Sequence, residues 1–140
     1  MTETIRADNN ILAIIISSSY HKKGIEFFTP DQSSLQLGYM NREAGYKVEP
    51  HTHSNVDQRI NTYQEVLIIR SGKVKVSLYD RMNALVARRI LSSGDCILLA
   101  SGGHGVEILE EAEILEIKQG PFSGDGDKVL LQFHQAELSS

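Results

Sequence analysis

Lys73-Val-Lys-Val-Ser-Leu-Tyr79 alternates strictly between apolar and polar residues. Side chains of a strand point to opposite faces in turn, so Val74, Val76 and Leu78 share one face while Lys73, Lys75 and Ser77 take the other. That is the pattern of a half-buried strand. Just upstream, Glu65-Val-Leu-Ile-Ile69 is a more continuous apolar run, and Arg70-Ser-Gly72-Lys73 lies between the two. Glycine supplies the positive φ of a tight turn, so the segment is predicted to be a hairpin.

Working outward, nearly every apolar segment is short, β-branched and bounded by turn residues. Further strands are predicted at 12–17, 25–28, 35–40, 48–53, 85–90, 96–100, 106–109, 114–118 and 129–133. Ser92-Ser-Gly-Asp95, Gly102-Gly103 and Ser123-Gly-Asp-Gly-Asp127 supply turn chemistry between them. No window of ten or more residues keeps helical periodicity with caps. About ten or eleven short strands at regular spacing predict an all-β antiparallel sandwich or barrel. Residues 1–10 and 135–140 are polar and are expected to be loose.

The chain of 140 residues fits one domain with a real core. Its net charge of −4 and the absence of any basic run give no reason to expect a nucleic-acid partner. The run Ile11-Leu-Ala-Ile-Ile-Ile16 is too short for a secretory or membrane-spanning segment and lacks a basic leader. A cytoplasmic protein with no membrane partner is the expectation. Cys96 is the only cysteine, so no intrachain disulfide forms, and its apolar neighbours make it a small buried hydrophobe.

Chemistry concentrates in three places. His51 and His53 form an H-x-H pair in Gly45-Tyr-Lys-Val-Glu-Pro-His-Thr-His53, and on a strand both imidazoles would share a face. Glu65 follows, with Gly72 seven positions later. His104 lies in Ala100-Ser-Gly-Gly-His-Gly105, where the double glycine permits a close backbone approach. Three imidazoles and one carboxylate are the donor set of a divalent metal with open coordination positions.

These spacings resemble the two motifs of the cupin superfamily, over residues 45–104. The first family motif runs glycine, H-x-H, glutamate, glycine, and the second runs glycine, proline, glycine, histidine. The chain departs from it in three respects. More residues separate His53 from Glu65 than the family usually has, Ala100 replaces the proline, and His104 arrives one residue early. The resemblance implies a jelly-roll β-barrel with a core of about residues 35–120. It implies that His51, His53, Glu65 and His104 hold a divalent metal such as Fe, Mn, Zn or Ni. The activity implied is that of an isomerase, a lyase or a dioxygenase acting on a small polar, sugar-derived molecule.

Two alternatives stand beside it. One is a binding module that does not turn its ligand over. The other is a metal-free sugar isomerase in which His51 or His53 moves a proton and Tyr63 or Tyr39 assists. Arg59 and Asn61, in the long segment after His53, are candidate substrate contacts, and Asp57 is a rival carboxylate ligand. Gln64 is expected on the face opposite Glu65, and Glu107 is expected to lack a partner. Cupins of this kind are usually dimers, so the resemblance implies a homodimer, and the apolar run 12–16 is a candidate swapped or interface strand in it.

Overall fold

The structure is a computed structural model that describes residues 1–54, 62–120 and 129–133. It is all-β, with a curled antiparallel sheet forming a half-barrel, and no helix occurs among the described residues. In chain order the strands are β1 (Thr2–Ala7), β2 (Asn10–Ile16), β3 (Gly24–Phe27), β4 (Gly38–Asn41), β5 (Glu65–Tyr79), β6 (Leu85–Ser92), β7 (Cys96–Leu99) and β8 (Gly103–Lys118). Six form one sheet in the order β1-β2-β7-β5-β6, with β8 on the other edge of β5; β3 and β4 form a two-stranded sheet.

The alternation at 73–79 is realised as read: Val74, Val76 and Leu78 are essentially inaccessible. Burying each such side chain contributes about 1.5–3 kcal/mol. They join Ala13, Ile15, Leu67, Ile69, Leu91, Ile97 and Leu99 in the main core, inside the curl. Val66, Ile14, Leu98 and Ala100 point the other way and are covered by Phe28, Leu35 and Leu37. Strands β2 and β7 and residues 66–69 of β5 are therefore apolar on both faces, which is why these stretches read as continuous runs.

The structure corrects several expectations. No hairpin divides 65–69 from 73–79. Strand β5 continues through Gly72, because β8 pairs with one edge along its length while β7 and then β6 occupy the other. Gly72 does have a positive φ of 84°, but it serves a bulge where the β5–β8 register shifts. A Cβ there would lie 2.1 Å from the Glu111 carbonyl oxygen. The two runs at 106–109 and 114–118 are likewise one strand, β8.

The first ten residues are not loose. Asp8 and Asn9, both with positive φ, make the two-residue turn of a β1–β2 hairpin, the conformation Asp and Asn tolerate best. The run 12–16 is no edge, since β2 lies between β1 and β7. The segment 48–53 forms no strand, and Val48, Pro50, His51 and His53 are all exposed. Pro50 has no N–H for a ladder. Residues 129–133 are also not a strand; Leu131 packs against Gly103 and the Phe133 ring lies 5.1 Å from that of Tyr79. No helix among the described residues is long and apolar enough to cross a membrane.

Candidate functional site

Glu65 opens β5 and His104 is the second residue of β8. The curl of the sheet carries these two positions together, and His104 Nε2 lies 2.7 Å from Glu65 Oε1. Gly102, with φ of 71°, makes the approach possible, because a Cβ there would lie 2.3 Å from the Tyr79 carbonyl oxygen. The close backbone approach expected of the double glycine before His104 is this Gly102–Tyr79 contact.

The pair lines a cavity of about 900 Å³ at one end of the half-barrel. Volumes of this size hold drug-sized ligands. Tyr63, Arg81, Glu116 and Lys118 also line it. Glu116 and Lys118 are two residues apart on β8 and pair with Leu67 and Glu65 on β5, so they flank Glu65 on its own face.

The hydrogen bond from His104 holds the Glu65 carboxyl down to about 2, well below the usual carboxylate range. Glu116 also hydrogen-bonds to Glu65, and this pushes its carboxyl up, because two adjacent carboxyls resist ionising together. The cavity thus combines an ionised carboxylate, an imidazole and a carboxyl that keeps its proton more readily than usual, with Lys118 beside them. Arg81 at the rim also lies 3.7 Å from Asp8.

Gln64 faces away from Glu65, as alternation requires, and is buried. Its side chain accepts a hydrogen bond from Leu35 N at 2.9 Å and donates to Ala100 O at 3.3 Å, while its backbone N–H donates to Gln119 Oε1 at 2.8 Å. It ties the start of β5 to three other segments and so fixes the phase that turns Glu65 toward His104.

The expected ligands fall into two groups. Glu65 and His104 meet in the cavity. His51 and His53 lie in the irregular segment after β4, exposed, with their ring centroids 5.0 Å apart. Neither lines the cavity. Among the described residues, no three His, Cys, Asp or Glu side chains are arranged to hold a metal ion. The H-x-H pair stands apart from Glu65 and His104 because the strand expected to carry it inward is not formed. Arg59, Asn61 and Asp57 lie outside the described residues.

Tyr63 lies at the cavity and is exposed. Tyr39 lies elsewhere, with its ring edge-on to Tyr20 at 4.9 Å. Glu107 has a partner after all, Lys75 at 2.7 Å across the β5–β8 pairing. Sequence reasoning missed Glu116 and Lys118. Their signal was present in the i, i+2 spacing on one strand face, but it becomes visible only once that strand is paired with Glu65. No family model, curated protein or solved structure matches this chain.

Proposed function

We propose that the protein binds a small polar molecule in the Glu65–His104 cavity and carries out acid–base chemistry on it. The observation that carries this reading is the 2.7 Å contact between carboxylate and imidazole inside a ligand-sized cavity. With Nε2 donating to Glu65, Nδ1 is the nitrogen that takes a proton, and the carboxylate stabilises the imidazolium that results. Lys118 and Tyr63 offer donors to a substrate oxygen. Abstraction of a proton next to a carbonyl, followed by its return to the neighbouring carbon, needs no oxidant and suits this set of groups. A hydroxyl-rich carbonyl compound, an aldose or ketose derivative, is the substrate class proposed, and isomerisation the reaction. The resemblance of the histidine and glutamate spacings to cupins supports the same class.

The test is turnover and binding on a panel of aldoses, ketoses and small diketones, under air and under nitrogen. Oxygen-independent turnover lost in His104→Ala and Glu65→Gln is the expected result. Saturable binding without turnover favours the non-catalytic module. Oxygen-dependent turnover favours a dioxygenase. Neither binding nor turnover on any member of the panel refutes the reading.

A further inference from the structure

The sheet carries a second cavity on the face turned away from Glu65 and His104. Successive residues of a strand point to opposite faces, so Val66 and Ile68 look away from the side to which Glu65 and Leu67 point. A cavity of about 570 Å³ lies there, between this outer face and residues 35–39. Its floor follows the strand register. Cys96 on β7 pairs with Ile16 on β2 and with Ile68 on β5, while Val66 pairs with Ile117 on β8. Leu35 and Leu37 pack over this apolar floor, and Ile16, Cys96 and Ile68 line the cavity. None of the three enters the Glu65–His104 cavity.

Two walls are aromatic and stand at a right angle. Tyr20 and Tyr39 both line the cavity, with ring centroids 4.9 Å apart and planes inclined by 82°. Aromatic rings prefer offset stacking or edge-to-face contact. A flat ring stacked on one of two perpendicular rings meets the other edge to face, so this corner satisfies both preferences at once. A puckered, saturated molecule of equal size satisfies neither. Tyr20 is held independently of any ligand. Its hydroxyl donates to the Glu26 carboxylate, which Lys22 also engages at 3.1 Å, and its ring lies edge-on to Phe28 at 5.6 Å. A preformed wall lowers the ordering cost of binding. The floor carries no charge, because burial pushes the Cys96 thiol up to about 11 and keeps its proton on at neutral pH. Ser18 and His21, both exposed, add polar groups to the lining, and a few such groups in an apolar pocket orient a ligand.

We propose that this outer-face cavity binds a compact planar aromatic molecule carrying one hydroxyl or N–H group, of the naphthol or indole kind. Ligand pockets run from about 300 to 1,000 Å³, and this cavity falls inside that range. The aromatic ring sits in the Tyr20–Tyr39 corner above Cys96. The proposal does not depend on the chemistry assigned to the Glu65–His104 cavity, which opens on the opposite face of the sheet.

The experiment is calorimetric titration of the full chain with 2-naphthol and with decahydro-2-naphthol, its saturated counterpart with the same carbon skeleton and hydroxyl. Alkylation by N-ethylmaleimide runs beside it, with Cys96, the only cysteine, as reporter of the floor. Saturable binding of 2-naphthol is expected, at least about tenfold tighter than that of the saturated compound. Cys96 alkylation is expected to be suppressed as occupancy rises. Tyr39→Leu, which keeps apolar bulk but loses the ring, is expected to weaken 2-naphthol about tenfold, whereas Tyr39→Phe retains binding. Glu65→Gln and His104→Ala retain it as well. The probe comparison and the alkylation are read on the wild type, so a variant that fails to fold leaves the proposal open to refutation. No saturable binding, equal affinity for the two compounds, or alkylation indifferent to 2-naphthol overturns it. So does undiminished affinity in Tyr39→Leu. Loss of binding in Glu65→Gln and His104→Ala places the probe in the other cavity and overturns it too.

Discussion

Glu65 and His104 lie 2.7 Å apart across the seam of a curled ribbon, although the strand pairing puts them at its opposite ends. Glu65 pairs with Lys118, and His104 with Leu78. On a straight strand, residues 65 and 78 would be about 43 Å apart. The β5–β8 ribbon therefore bends through the bulges around Gly72 until its ends meet, and the carboxylate–imidazole contact closes the loop. One bend thus builds the core, the cavity and the reactive pair together.

Gly72→Ala is the direct test of that bend. The new methyl would lie 2.1 Å from the Glu111 carbonyl, on a residue held at positive φ. Gly45 also has a positive φ, but nothing lies within 4 Å of its Cβ position. Gly45→Ala is expected to cost about 1 kcal/mol of left-handed strain alone. Gly72→Ala is expected to cost roughly 3 kcal/mol or more and to weaken any ligand binding in the cavity. Denaturant unfolding of both variants checks the difference; equal losses would show that Gly72 is not a point of closest packing.

The acid side of the stability profile follows from Glu65. Its folded pKa of about 2 is below the ordinary glutamate value of 4.5, so the unfolded chain takes up its proton first. The stabilisation is fully present above pH 4.5 and is lost as pH falls toward 2. Glu116 has the opposite sign: its raised pKa gives stability that is present at low pH and lost as pH rises through the elevated value. Glu65→Gln is expected to flatten the fall in stability between pH 4.5 and 2, as read by thermal melts at a series of pH values. A slope identical to wild type sinks the assignment.

The all-β class and the alternation at 73–79 were legible in the sequence, because a period of two is a local property. What was not legible depended on pairing. A glycine with positive φ serves a hairpin or a bulge equally well, and only the β8 strand lying along β5 decides for the bulge at Gly72. The same holds for the site. Spacing alone points to Glu65 and His104, and they do meet, whereas Glu116 and Lys118 become recognisable only as neighbours of Glu65 across a strand pair. The H-x-H pattern of His51 and His53 suits a strand, but Pro50 and the exposed Val48 do not support one there.

Cys96 offers a chemical check on the outer face of the sheet. Burial pushes its thiol up to about 11 from the ordinary 9.0. The shift lowers the thiolate fraction at neutral pH by about a hundredfold, and thiolate is the reacting form. Alkylation by iodoacetamide is therefore expected to be at least that much slower in the folded protein than in denaturant. Comparable rates in the two states would mean that Phe28, Leu35 and Leu37 do not cover this face.

Core substitutions should separate the inside of the curl from its edge. Ile97 is fully buried at the centre of β7, between β2 and β5, whereas Ile108 on β8 is half exposed. Ile97→Ala removes buried methylenes from a site fixed by two neighbouring strands, so the cavity left behind collapses little. The expected cost is about 3–5 kcal/mol. Ile108→Ala removes a side chain already in contact with water, and about 0.5–1 kcal/mol is expected. Urea unfolding at fixed pH measures both, with unchanged m-values as the sign that only the folded state has been affected. If Ile108→Ala costs as much as Ile97→Ala, the face of β8 that carries Ile108 is covered in solution.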